Sequence, residues 1–148
     1  MNPNYREIKE HLQKNNYRLT KQRKLILERI LSNAPITSTE LCRLCMPDCD
    51  RATVYRTISI FEKIGIILRI TLGWKYKLEL SDQFLGHHHH MTCLSCGKSF
   101  DLKDLDPIEK NLIELSKKHN FQIISHQLEI SGYCKDCNKK IREHVSDH

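Results

Sequence analysis

The stretch "GHHHHMTCLSCG", residues 86–97, sets four consecutive histidines just ahead of a Cys-x-x-Cys pair. A second pair, Cys134-x-x-Cys137, stands near the end of the chain. Two residues between cysteines let both thiolates point at one ion, and two such pairs make the tetrahedral four-sulfur set of a structural Zn2+. Cys93, Cys96, Cys134 and Cys137 are therefore read as structural zinc ligands. The gap between the pairs exceeds the roughly 15–20 residues of a zinc ribbon. It has room for a helix and a strand, so the metal would tie the end of the chain back onto the first hairpin. The competing reading is four unrelated buried thiols.

The histidines pose a different question. Four of the chain's nine lie in the run, more than a single ion needs. In an extended chain alternate side chains point to opposite faces. His87 and His89 then face one way, His88 and His90 the other, and one stretch can serve two metals. Imidazole suits Zn2+ and Fe2+ alike. A solvated patch is the alternative. Cys42, Cys45 and Cys49 in "CRLCMPDC" are a weaker case. The first two fall on an expected helix rather than in a turn, and small apolar filling is favoured over a redox or metal role.

The elements that must hold these groups follow from the rest of the chain. Of its 148 residues, 39% are hydrophobic and 28% charged, as in a soluble globular protein. No apolar run approaches the roughly 20 residues of a membrane span. "MNPNYREIKE" has no apolar signal-peptide core, so a cytoplasmic location is expected, with no membrane partner. In that compartment paired cysteines are metal ligands more often than disulfides. Seven is also an odd number for a disulfide framework. Net charge is +6; residues 1–84 hold 15 Lys and Arg against 9 Asp and Glu, and residues 85–148 hold 9 against 9. The excess positive charge lies wholly in the first part, as a footprint for a polyanion would.

In that first part, residues 4–15 read as an amphipathic helix with Ile8 and Leu12 on one face. Thr20 caps a second helix over about 21–32, with Leu25, Ile26 and Ile30 in its stripe. Thr37 and Glu40 make a capping box for a third, ending near Met46-Pro47. Asp50 caps a fourth, which stops at Gly65. Two strands follow, 66–71 and 75–80, with a turn at Gly73. The second to fourth helices and the ribbon give the order of a winged helix-turn-helix, with the fourth as recognition helix. Arg51, Thr53, Tyr55 and Arg56 are expected on its exposed face, suited to phosphate and base contact. The alternative is a solvated basic face.

The second part reads as small α+β. "MTCLSCGKSFDL" gives two short strands around a Cys-x-x-Cys-Gly turn. "DPIEKNLIELSKKHN" gives a helix with Asp106 as N-cap, Pro107 at N1 and Glu109 at N3. Ile108, Leu112 and Leu115 share one of its faces. "FQIISHQLEISG" gives a strand with Ile124, Leu128 and Ile130 on one side, and a short charged tail closes the chain. Such a region has little core unless a metal or a partner subunit adds to it.

Taken together, "YRLTKQR", "ATVYRT" followed by a ribbon, "HHHHMTCLSCGK", "SHQLEISGYC" and the final Cys-x-x-Cys resemble the ferric uptake regulator family of bacterial metal-responsive repressors. The resemblance covers nearly the whole chain in order. It implies an α+β protein: a winged-helix DNA-binding domain with wing and hinge over 1–84, and a metal-binding α/β dimerisation domain over 85–148. It implies a homodimer that binds a pseudo-palindromic AT-rich double-stranded operator when loaded with metal and controls metal-homeostasis genes. By position, Arg18 matches the family's minor-groove basic residue, and Tyr55 and Arg56 its base-contacting residues. Glu79, His88, His90 and Asp101 match a regulatory site near the hinge. His87, His89, Glu109 and His126 match a further site within the dimerisation domain. Zn2+ or Fe2+ is implied at these two, with Mn2+ a further candidate. The family's histidine near the start of the third helix is missing from "NAPITSTE", which leaves His11 or water to complete the hinge site. Asp101 is of the acidic type found in the peroxide-sensing branch. The other readings are that peroxide-sensing branch, a zinc buffer that does not bind DNA, and a zinc hydrolase, which has no H-E-x-x-H to support it.

Overall fold

A computed structural model describes residues 5–72, 74–102, 105–124 and 126–145, without the side chains of 142–145. The turn expected at Gly73 lies outside the described residues. The chain divides into two compact units, Met1–His87 and His88–His148.

The first unit runs α1 (Tyr5–Lys14), α2 (Lys21–Asn33), α3 (Ser38–Cys45), α4 (Arg51–Lys63), β1 (Ile67–Leu72), β2 (Lys75–Leu80) and α5 (Asp82–Leu85). Local chemistry sets the boundaries. Thr20 accepts from the Arg23 amide at the start of α2. Thr37 and Glu40 close a reciprocal capping box on α3: the Glu40 amide donates to Thr37 Oγ1 at 3.2 Å, and the Thr37 amide donates to Glu40 Oε2 at 3.0 Å. Asp50 caps α4, and Gly65 follows its end with φ 72°, a left-handed backbone that costs a glycine little. β1 and β2 pair antiparallel from Ile67↔Leu80 to Leu72↔Lys75. Ile36 adds a bridge to Leu78. Beneath lies one apolar core that includes Ile8, Leu12, Ile26, Leu27, Ile30, Leu41, Val54, Phe61, Ile66 and Leu78. The four-residue α5 was not expected from the sequence.

The second unit holds β3 (His89–Cys93), β4 (Ser99–Leu102), α6 (Asp106–Lys118), β5 (Glu129–Gly132) and α7 (Lys135–Val145). Its sheet has the order β4-β3-β5, antiparallel on one side of β3 and parallel on the other. Three expectations are corrected here. The cap of α6 is Leu105, because the Ile108 and Glu109 amides both donate to its carbonyl; Asp106 and Pro107 sit inside the helix. The strand expected over "FQIISHQLEISG" shrinks to its last four residues, since β3 offers partners only to Glu129–Gly132. The expected tail is the helix α7, whose ladder opens with Asn138 N–H donating to the Cys134 carbonyl.

The units differ in what fills them. Among the described residues from His88 onward, Cys93 is the one buried apolar side chain, beside buried His89, His90 and Thr92. The stripe of α6 stays open: Ile108 is 40% exposed and Leu115 53%. No helix of the described residues is long and apolar enough to cross a membrane.

The capping box gives a test. Hydrogen bonds from Thr37, its hydroxyl first and then its amide, hold the Glu40 carboxyl below its ordinary range. A depressed carboxyl stabilises the fold above its unfolded pKa, and that contribution is lost as pH falls through the folded value. Thr37→Ala should cost about 1 kcal/mol at neutral pH. The gap to wild type in urea denaturation should narrow as Glu40 is protonated. A gap that stays constant into acid would show that the charged carboxylate plays no part.

Candidate metal centres and nucleic-acid surface

The two cysteine pairs converge in the second unit. Cys93 ends β3 and Cys96 stands in the turn to β4, where Gly97 takes φ 72° and its amide donates to the Cys93 carbonyl. Cys134 precedes α7, and Cys137 lies in its first turn. The four sulfurs lie within 4.8 Å of one another. Cys96 Sγ and Cys134 Sγ are 3.9 Å apart. A tetrahedron with Zn–S bonds of about 2.3 Å has edges of about 3.8 Å. The Cys134 amide donates to Cys93 Sγ at 3.3 Å. This bond first, then one from the Cys96 amide, draws the Cys93 thiol down to about 6. Four thiols this close cannot all ionise unless a cation sits among them. The donor set, spacing and charge thus fit a divalent, thiophilic metal.

The histidine run enters the sheet at its third member, His89. Leu128 N–H donates to His89 Nδ1 at 3.3 Å, which leaves the ring proton on Nε2. That Nε2 donates to Glu109 Oε1 at 2.8 Å, and His126 Nε2 donates to the same oxygen at 3.0 Å. Glu109 reaches back from the first turn of α6, and His126 comes from the segment before β5. The ligand atoms of these three lie within 4.8 Å of one another. Tetrahedral nitrogen and oxygen ligands stand about 3.3 Å apart, close to the two separations of 2.8 and 3.0 Å at Glu109 Oε1. His126 is not in a strand and Ile124 is 84% exposed, so the strand face expected from Ile124, Leu128 and Ile130 does not form there.

On the other face of β3, His88 and His90 meet edge to face with ring centroids 4.8 Å apart. His90 Nδ1 lies 3.5 Å from Asp101 Oδ1, its register partner on β4. Glu129 holds the register position opposite His90 on β5, a carboxylate that sequence reasoning passed over. His87 closes the first unit, with Nδ1 2.8 Å from Asp82 Oδ2. Glu79 is buried on β2 of that unit. His11, considered as a substitute ligand, is engaged there: Nε2 donates to the Ile64 carbonyl at 2.6 Å, and its ring meets Phe84 edge to face. Cys42, Cys45 and Cys49 are buried in the same core, and burial pushes the Cys45 thiol up to about 11.

The basic surface of the first unit centres on α4. Arg51, Tyr55 and Arg56 are exposed at its N-terminal half. Thr53, expected beside them, is half-buried. Its amide and hydroxyl both donate to the Asp50 carboxylate, at 2.9 and 2.7 Å, so it serves the cap. Arg56 shares a hollow of about 160 Å³ with Thr20, Gln22 and Arg23 from the start of α2. Arg23 was missed, although "YRLTKQR" displays it; it donates to the Arg18 carbonyl at 2.6 Å and lies over the Tyr17 ring. Arg18 itself is exposed.

Comparison with known proteins agrees with this arrangement. Residues 14–131 match the model of the ferric uptake regulator family. The chain is 31% identical to the ferric uptake regulation protein of Campylobacter upsaliensis, over 92% of this chain and 90% of that one. It is also 31% identical to the peroxide-responsive repressor PerR of Staphylococcus saprophyticus, over 87% of this chain and 88% of that one. Its fold is similar to that of the Helicobacter pylori ferric uptake regulator, whose structure reveals three functional metal binding sites. That likeness has a TM-score of 0.73 and 25% identity, and covers 90% of each chain. The chain therefore belongs to the ferric uptake regulator family, whose members are metal-responsive transcriptional regulators and not enzymes.

Proposed function

We propose that the chain is a metal-dependent DNA-binding repressor, active in the cytoplasm as a homodimer on a pseudo-palindromic AT-rich operator of metal-homeostasis genes. Residues 1–84 are its DNA-binding domain and 85–148 its metal-binding dimerisation domain. The observation that carries this reading is the preassembly of metal-capable side chains along one strand, β3, in a unit with almost no apolar core among its described residues. Cys93, Cys96, Cys134 and Cys137 hold structural Zn2+, which supplies a crosslink between the β3–β4 turn and α7. His89, Glu109 and His126 hold a second ion, with His87 as fourth ligand by the alternation of the run. His88, His90, Asp101 and Glu79 are the hinge set. Zn2+, Fe2+ and Mn2+ all suit imidazole and carboxylate donors. Tyr55 and Arg56 read bases, while Arg18 and Arg51 bind phosphate and Thr53 fixes the helix start. The open stripe of α6 supports burial against a second copy.

The test of the whole reading is the affinity of metal-free, Zn2+-, Fe2+- and Mn2+-loaded protein for operator DNA, alongside metal content. Arg56→Ala should lose about 1–3 kcal/mol of discrimination between operator and random duplex. Equal affinity with and without metal would leave only a zinc buffer or a constitutive binder. Asp101 beside His90 favours a second reading within the family, a peroxide sensor. Peroxide would then release the Fe2+-loaded protein from DNA but spare the Zn2+-loaded one, because zinc has no redox chemistry.

The cysteine site should behave as part of the fold. Structural zinc contributes about 10 kcal/mol or more to small domains at neutral pH. Cys96→Ser should lose one zinc per chain and yield an unstable or monomeric protein. A dimer with full zinc content would sink the assignment.

The histidine faces should separate in a metal titration. His89→Ala with His126→Ala should abolish one binding event, and His88→Ala with His90→Ala a different one. Loss of the same event in both double variants would mean that the run serves one ion.

A further inference from the structure

The segment "LSDQFLGH", residues 80–87, folds back on itself at the end of the first unit. Its single helical turn, α5, is fixed to the backbone just past α4. Ser81 Oγ donates to the Gly65 carbonyl at 2.7 Å, and the Ser81 amide donates to the Ile66 carbonyl at 3.0 Å. Phe84 is buried in the apolar core, its ring edge to face with His11. The turn closes with the Gly86 amide donating to the Asp82 carbonyl at 2.8 Å. Gly86 then takes φ 87° and ψ 155°, a backbone almost confined to glycine. That reversal returns His87 to the start of the same turn, where its Nδ1 lies 2.8 Å from Asp82 Oδ2.

Stability does not explain the pair. The His87 side chain is 40% exposed and that of Asp82 49%, and a pair so open to water contributes little to folding. What it settles is the state of the ring. An ionised carboxylate only accepts, so the Nδ1 that faces it carries the proton and Nε2 keeps the lone pair. Metal-binding histidines commonly show this arrangement, with one nitrogen on a carboxylate and the other on the ion. Holding the ring in advance also reduces the freedom lost when an ion binds.

We propose that Asp82 is a positioning residue for the second metal centre: it holds the His87 ring with Nδ1 protonated, which makes Nε2 the ligand atom. The inference rests on the reading above, in which His87 completes the set of His89, Glu109 and His126. Asp82 is not itself a ligand and acts only through the imidazole. Its carboxylate raises the basicity of that ring as well as fixing its tautomer. Because α5 is bonded to the Gly65 and Ile66 carbonyls, the group that orients this ligand is anchored at the foot of the helix proposed to read DNA.

The test uses full-length chain with Zn2+ kept in the four-sulfur site and Co2+ as the probe. Competition with a chromophoric chelator gives the Co2+ affinity. Visible absorption reports coordination, because four-coordinate Co2+ absorbs far more strongly than the hydrated ion. The event followed is the one that His89→Ala with His126→Ala removes. Asp82→Ala should weaken it about 10- to 100-fold. The Co2+ bands should lose intensity as water replaces the released imidazole, while the Co2+-free protein melts as wild type does. Asp82→Asn, which keeps an acceptor for the Nδ1 proton, should recover much of the loss. His87→Ala separates the two ways of failing. If it weakens the event and Asp82→Ala leaves affinity and bands unchanged, the positioning role is overturned and the ligand reading stands. If His87→Ala is itself without effect, both are overturned.

Discussion

Five residues of β3 carry the second unit. Along His89–Cys93 the side chains alternate between two faces, and the strand's end delivers a cysteine to the four-sulfur cluster. One face sends His89 to Glu109 and His126; the other sets His90 beside His88 and Asp101. Polar groups buried like this are costly unless bonded or charged in partnership. Here they occupy the place that leucines and valines fill elsewhere. Bound cations and a covering surface, as proposed above, would offset that cost.

The first unit is organised on the opposite principle. Its apolar core joins all of its first four helices and both strands, and each helix start from α2 to α4 is capped by a hydroxyl or carboxylate. The Asp50 cap fixes where α4 begins, and so where Arg51, Tyr55 and Arg56 emerge. The two bonds between Arg69 and Glu62 tie the ribbon to that helix. The unit with an apolar core carries the basic surface, and the unit with little apolar core among its described residues carries most of the metal-capable groups.

Legibility in the sequence followed the range of the forces. Thr20, Thr37, Asp50 and Gly65 were readable because capping is decided within four residues. The Cys-x-x-Cys pairs were readable because ligand spacing is local as well. The segment 121–128 was not, since its apolar alternation gave no sign that β3 is too short to pair with it. α7 looked like a charged tail because the residues that anchor it, Cys134 and Cys137, had already been assigned to the metal. Thr53 was misjudged for the same kind of reason: helix periodicity places it on the exposed face, while its short side chain turns back to the Asp50 carboxylate. Arg23 went unnoticed because its role depends on α2 and α4 lying together.

The strand's alternation makes chain length a stricter constraint than residue identity. Deleting Met91 from the strand would leave every histidine and every cysteine in the chain. Yet a one-residue slip transfers every side chain beyond it to the opposite face. With Cys93 kept at the sulfur cluster, His89 and His90 would exchange faces. A frame-preserving loss of this one codon is thus expected to misdirect both histidine faces at once, whereas many single replacements touch only one.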